Sequence, residues 1–512
     1  MTGPIALFSV SDLRNIAEFG TIFIKNGWRV VATPDAYGAL RTAGIPAVCI
    51  DEFTGTVERY SFPPTLHPKV EAALTAPGSG ERIELVYDIP YPLAQGNDVG
   101  GMTLLALAVK GGRIAVSAHE DMARVAAMVK ERGAVLADER ERLAAKALRL
   151  IEGHYGALLD RTEIPPRAGI RGVEQTRLAH GENPYQEPAS LFAACPGNDD
   201  PLALHRFERI SGETPCFTNM ADLDSVVATL CRLAGAYRRL GGGLPHIAVA
   251  AKHGNACGLS ADRTDPIEAI EGALWGDPAA VWGGEVVVTF ELDGPRAERL
   301  LRSARRGELH GSPGWMLDVV AAPAFSGDAV EILGKRARRK LFLNPALADP
   351  SPPADRWSYR GVRGGFLRQP HPSYLLDLGE LEWPSGMFDA ASLDDLLIAW
   401  AAAYTSNHGG NEVALSANRA LIGVGGGPST VAATETAVAR AHAHGHATAG
   451  AAFVADAFFP FTDAPRLLAE AGCACGLVPR GGQNEGEVRS FFSTRGVRVG
   501  YLPERCRGFC RH

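Results

Sequence analysis

The chain has 512 residues, 46% hydrophobic and 21% charged, with 51 Lys plus Arg against 58 Asp plus Glu, a net charge of −7. That length exceeds one ordinary core, so two to four domains of about 100–200 residues each are expected. The acidic balance supplies no global positive field for a nucleic-acid backbone, and no apolar run approaches the roughly 20 residues of a membrane span, so a cytoplasmic protein without nucleic-acid or membrane partners is expected.

In chain order, residues 5–10 (IALFSV) read as a short buried strand, and Ser11 and Asp12 are placed to cap a helix beginning near Leu13. Residues 28–33 predict the next strand, 37–43 a helix and 45–50 a third strand. This alternation implies a parallel sheet whose ligand sites lie at the carboxyl ends of its strands. Segments 82–87 and 112–117 continue the strands, and 119–132 is an amphipathic helix. A charged, Ala/Leu-rich helical stretch at 138–159 leads into a Pro- and Gly-containing linker at 163–169, giving expected domains at 1–165 and 170–512.

Nine cysteines, an odd number without a CxxC pair, fit reduced thiols better than disulfides or structural zinc. Cys473 and Cys475, and Cys506 and Cys510, have spacings a metal site could use, but no His stands at ligand spacing, so no metal is expected. The apolar run 247–250 leads into Lys252-His253-Gly254-Asn255. A strand ending in such a turn can point one ammonium and one imidazole into a cleft, as proton handling requires. The same pattern also describes a solvated strand end.

Residues 6–12 (ALFSVSD), 65–68 (TLHP), Tyr91-Pro92 and 98–105 (DVGGMTLL) resemble, in order and spacing, the cyclohydrolase domain of the bifunctional AICAR transformylase/IMP cyclohydrolase family. Beyond the linker, 181–186 (GENPYQ), 217–219, Lys252-His253, 321–323, 363–365, 422–425 and 456–463 (DAFFPFTD) resemble the family's transformylase region. Ordered motifs over more than 300 residues are a specific signal. The resemblance implies an α/β protein: an N-terminal methylglyoxal-synthase-like parallel-sheet domain, then a transformylase region of two cytidine-deaminase-like subdomains. It implies transfer of a formyl group from 10-formyltetrahydrofolate to an amine beside a carboxamide, ring closure in the N-terminal domain, no metal and a homodimer.

The resemblance also implies site residues. His253 would be the base, assisted by the substrate's carboxamide, and Lys252 would stabilise developing charge and protonate the leaving nitrogen. Asn411 would orient the amine and the formyl oxygen, and Asn219 would contact the substrate amide. Asp463, with Pro460 and Phe461, would hold the folate, while Arg507 is the nearest match, one position out of register, to a terminal phosphate-binding arginine. Tyr91, Asp98 and Lys110 match the cyclohydrolase site.

The departures share a theme. Pro64 and Phe62 stand where the family has Lys and Arg, and Thr33-Pro34-Asp35-Ala36 replaces a glycine-rich phosphate loop. Ala179, Val431 and Thr462 occupy positions of family arginines. Each lost charge-assisted hydrogen bond would forfeit roughly 1.5–3 kcal/mol of phosphate binding. Retained reaction groups beside discarded phosphate groups predict a divergent relative acting on an acceptor without the usual 5′-phosphate. The alternatives are an ordinary bifunctional enzyme of de novo purine synthesis and a non-catalytic folate-binding relative. The register of Asn411 depends on how the segment 406–410 is aligned.

Overall fold

A computed structural model of the chain describes residues 3–56, 63–76, 81–161, 168–194, 199–241, 243–303, 307, 311, 314–353, 357–383 and 388–510. Two compact units divide it, Met1–Gly169 and Ile170–His512. Phe62, Cys195 and most of the expected linker at 163–169 lie outside the described residues.

In the first unit, period-2 alternation builds a sheet buried on both faces. Its strands are β1 (Ile5–Val10), β2 (Arg29–Ala32), β3 (Val48–Cys49), β4 (Ile83–Ile89) and β5 (Ile114–Val116), all parallel in the order β3-β2-β1-β4-β5. Ala6 and Phe8 enter one cluster with Phe19, Phe23 and Val125, while Ile5 and Leu7 enter another with Leu104, Leu105 and Ala147. Each face of the central strand thus belongs to a different helix layer, as a parallel α/β sheet requires. The expected third strand shrinks to two residues, because the chain turns at Ile50 into the short helix Ile50–Thr54. The expected cap is also corrected. The first helix is Ile16–Lys25, with Asn15 at φ 54 as its N-cap. Ser11 instead donates to the Ile89 carbonyl at 3.2 Å, and Asp12 pairs with Arg14.

The second unit is one eleven-stranded sheet built from a repeated pattern, flanked by hairpins β6 (Gly172–Arg177) with β7 (Ser190–Ala194) and β14 (Trp357–Val362) with β15 (Gly365–Pro370). One half contributes β8 (Glu208–Ser211), β9 (His246–Lys252), β10 (Asn255–Asp262), β11 (Gly284–Val288), β12 (Leu317–Ala322) and β13 (Lys340–Leu343). The other contributes β16 (Asn411–Ala417), β17 (Ala420–Gly427), β18 (Ala452–Ala455), β19 (Cys475–Pro479) and β20 (Arg498–Leu502). In each half an antiparallel hairpin is followed by a strand antiparallel to its first arm and then by two parallel strands. The halves join where β10 meets β17 antiparallel, Ser260 opposite Ala420.

The helices Phe217–Leu240 and Ala390–Ala403 share one core that draws Val249, Ala251, Ala414 and Val454 from both halves. On the opposite face each half keeps its own core. Eight consecutive buried residues, 396–403, mark the helix at the centre of the shared layer. Trp400 there is fully buried against Tyr374 and Tyr404. Trp400→Ala is expected to destabilise this unit by about 3–5 kcal/mol, read as a lower urea midpoint.

Candidate functional site

The join between halves sets the site. Because β10 and β17 run antiparallel, the tip of the first hairpin, Lys252 to Asn255, lies beside the open end of the second, where Asn411 pairs with Gly427. The tip is a tight turn with His253 at φ 51 and Gly254 at φ 70, the backbone twist that two-residue hairpins favour. The second hairpin's tip, Asn418 and Arg419 at φ 53 and 63, occupies the equivalent place at the opposite edge. Arg419 there is tied to Asp262 at 3.0 Å and to Asp395 through its N–H at 2.7 Å. Equivalent turns thus carry different chemistry.

Lys252 closes β9 half-buried, its ammonium donating to the Gly283 carbonyl. Register places Glu285 opposite Ala251, one position from Lys252. Glu285 is 2% exposed, and its Oε2 has no hydrogen-bond partner among the described residues. Burial, followed by the nearby Asp222 carboxylate, pushes its pKa up to about 9, against the pull of Lys252. Asn219 is buried in the first turn of the helix Phe217–Leu240, where its side-chain oxygen accepts from the Cys216 N–H at 3.2 Å. His253 is exposed at the tip.

Among the described residues no hydrogen bond joins Asn411 to the Lys252–His253 tip; its side chain donates to the Gly427 carbonyl at 3.4 Å. Asn407 does the joining. Its N–H donates to Asn255 Oδ1 at 2.6 Å, and Asn255 in turn donates to the His253 carbonyl at 3.1 Å. The Asn407 side chain donates to the Cys510 carbonyl at 3.0 Å, drawing the C-terminal tail to the same edge. The adjacent Gly409 and Gly410, at φ 116 and 143, were the available sequence signal that this loop turns sharply.

Two buried acids complete this edge. Glu412 and Asp456 are each 1% exposed, and the Glu412 N–H donates to Asp456 Oδ1 at 2.9 Å. Burial pushes the Asp456 pKa up to about 7. The tail's Gly508 N–H donates to the Asp456 carbonyl at 2.9 Å, and Arg507 lies 4.9 Å over the Phe458 ring while paired with Glu504. Pro460, Phe461 and Asp463 follow on the same loop. The Pro460 carbonyl accepts from Asn484, Phe461 is 61% exposed, and Asp463 opens the helix Asp463–Glu470.

In the first unit, Tyr91 and Asp98 meet, the Tyr91 N–H donating to Asp98 Oδ2 at 3.2 Å. Asp98 caps the helix Val99–Lys110 by accepting from the Gly101 N–H at 2.8 Å. Lys110 is not gathered with them: it stands exposed in the last turn of that 12-residue helix, about 18 Å along its axis at 1.5 Å per residue. Sequence reasoning passed over Asp88, fully buried on β4 with Oδ1 unpartnered among the described residues. A Cβ on Gly101 would lie 2.6 Å from that oxygen and 3.0 Å from Asp98 Oδ2, so only glycine lets the two acids share this space. Burial pushes the Asp88 pKa up to about 7. A carboxyl raised from its unfolded value near 4 supports folding fully below pH 4 and loses that support as pH rises through 7. Asp88→Asn is therefore expected to raise the thermal midpoint at pH 8 but not at pH 4.

Among the described residues no three His, Cys, Asp or Glu side chains are grouped to hold a metal ion, and no helix is long and apolar enough to cross a membrane. The family model described as AICARFT/IMPCHase bienzyme matches residues 113–440. "Bifunctional purine biosynthesis protein PurH" of Persephonella marina is 25% identical over 532 aligned positions, covering 97% of this chain and 98% of that protein. Its namesake in Streptococcus uberis is 28% identical, covering 96% and 97%. A solved structure titled "Crystal structure of ForH" is 28% identical, covering 30% of this chain and 96% of that chain at a TM-score of 0.28. With the family model spanning well over half its length, the chain belongs to the AICARFT/IMPCHase bienzyme family.

Proposed function

We propose that the unit Ile170–His512 transfers a formyl group from 10-formyltetrahydrofolate to an aromatic amine beside a carboxamide, on an acceptor lacking the 5′-phosphate. The observation that carries this reading is the company Lys252 keeps. Its edge of the sheet is lined by the buried acids Glu285, Glu412 and Asp456. Arg507, the cation expected there, is already spent on Glu504 and the Phe458 ring. A dianionic phosphate brought into that setting would meet the Glu412 carboxylate and buried acids with Arg507 already paired, whereas a neutral hydroxyl would need no cation.

In this reading Lys252 stabilises the charge that develops on the formyl oxygen and protonates the departing folate nitrogen. His253, Asn407 and Asn411 hold the acceptor beside it, and Asn219 meets the carboxamide. Pro460, Phe461 and Asp463 receive the pterin, with Asp463 accepting its N–H groups. The first unit keeps Tyr91 and Asp98 together and is read as retaining its ring-closing fold without the phosphate loop: Pro34 opens the helix Pro34–Thr42 where glycines would cradle an anion. The working form is read as a cytoplasmic homodimer, for which light scattering should give twice the chain's mass.

Tetrahydrofolate release from 10-formyltetrahydrofolate tests the reading, with AICAR and its dephosphorylated riboside as acceptors. The riboside is expected to be preferred about 100-fold or more in kcat/KM. Saturation by micromolar AICAR would overturn the phosphate-free acceptor.

A further inference from the structure

The loop between the helix Ala390–Ala403 and β16 places a second imidazole at the same edge. His408 is clamped by Glu412: its ring Nδ1 lies 2.7 Å from Oε2, and its backbone N–H donates to Oε1 of the same carboxylate. Behind this carboxylate stands Asp456, whose Oδ2 is buried without a hydrogen-bond partner among the described residues. A carboxylate that holds Nδ1 fixes the ring's tautomer and orientation and leaves Nε2 as the atom that exchanges protons.

The glycines of this edge make the clamp possible. A Cβ on Gly426 would lie 2.3 Å from Glu412 Oε1 and 2.6 Å from His408 Cβ, and one on Gly410 would lie 2.5 Å from the Gly427 carbonyl oxygen. Asn407, immediately before His408, is the residue that touches the Lys252–His253 hairpin through Asn255. The His253 ring is exposed and, among the described residues, no hydrogen bond orients it.

We propose that His408, held by Glu412, is the proton acceptor of the formyl transfer. As the acceptor's amine nitrogen bonds to the formyl carbon and the bond from that carbon to the folate nitrogen breaks, the amine's proton passes to His408 Nε2. The folate nitrogen takes its proton from Lys252, so protons and charge balance. This rests on the formyl-transfer reading given above. The titratable groups packed around His408 are Glu412 from β16 and Asp456 beyond β18, with Tyr404, whose pKa burial raises, near Asp456; the hairpin tip carrying Lys252 and His253 is joined to the neighbouring Asn407 through Asn255.

The test is tetrahydrofolate release with the riboside as probe, followed from about pH 5.5 to 9 in the full chain and in H408N, H408Q, E412Q and K252A. H408N and H408Q are expected to lower kcat about 10²–10⁴-fold with KM within about 3-fold, and to remove the acidic limb of the pH profile. E412Q is expected to lower kcat with KM within about 3-fold, because the ring loses the carboxylate that orients it. Wild-type kcat in H408N beside an inactive K252A overturns the proposal and leaves formyl transfer standing. Parallel loss of thermal midpoint and activity in both His408 variants, with the limb unmoved, also overturns it. A wild-type chain that releases no tetrahydrofolate with any acceptor overturns the formyl-transfer reading and the proposal together.

Discussion

Replacing Lys252 by alanine is expected to lower kcat for formyl transfer about 10³–10⁴-fold, some 4–5.5 kcal/mol of transition-state stabilisation, while folate binding changes little. The size follows from the two tasks proposed for this one group, charge stabilisation and protonation of a poor leaving group. The ammonium is anchored on the Gly283 carbonyl at the end of a strand rather than free in solvent. Lys252→Arg is not expected to rescue, since a guanidinium keeps its proton and its planar fork does not fit a point-charge site. Single-turnover kinetics with the riboside, alongside calorimetry of folate binding, separates the chemical step from binding. A K252A variant with more than a tenth of wild-type kcat would remove Lys252 from the chemistry.

Replacing Glu285 by valine is expected to stabilise the protein at pH 8 by on the order of 3–5 kcal/mol and to do little at pH 4. The sign follows from its pKa, raised by burial from about 4.5 to about 9. Such a group gives its full support to folding below pH 4.5 and loses it as pH climbs toward 9, at 1.36 kcal/mol for each unit. Valine extends the run of Val286, Val287 and Val288 and leaves no orphaned oxygen on the strand. Urea denaturation at the two pH values reads the difference, and equal gains at both would show that the carboxyl does not titrate as burial demands. The same substitution is expected to lower kcat about tenfold, because Lys252 loses an acid it interacts with. Natural sequences retain a destabilising buried acid where function needs it.

Much of the first unit could be read directly. The strand 5–10 and the helix 119–132 fall at the positions their patterns predict, since alternation and amphipathic spacing are local properties. The cap at Ser11 and Asp12 failed for a reason equally physical. Two side chains able to cap a helix found other partners, Ile89 on a neighbouring strand and Arg14 nearby, and the helix began three residues later. Lys110 shows the limit of matching motifs: a continuous helix after Asp98 carries it away from Tyr91, which no spacing along the chain reveals without the helix in place.

The second unit separates the two kinds of information most clearly. By itself the sequence determined that a strand ends in Lys252-His253 and that a glycine-rich hairpin follows far downstream, because each depends only on residue identity and short-range pattern. Only the tertiary structure decided that Asn407 rather than Asn411 bonds to the first hairpin, that Glu412 clamps His408, and that Glu285 Oε2, one position from Lys252, has no hydrogen-bond partner among the described residues. Asn255 and Asn407 stand 152 positions apart. Their meeting is set by the antiparallel pairing of β10 with β17, a choice made by the packing of whole hairpins against a shared core, and no local pattern in either segment encodes it.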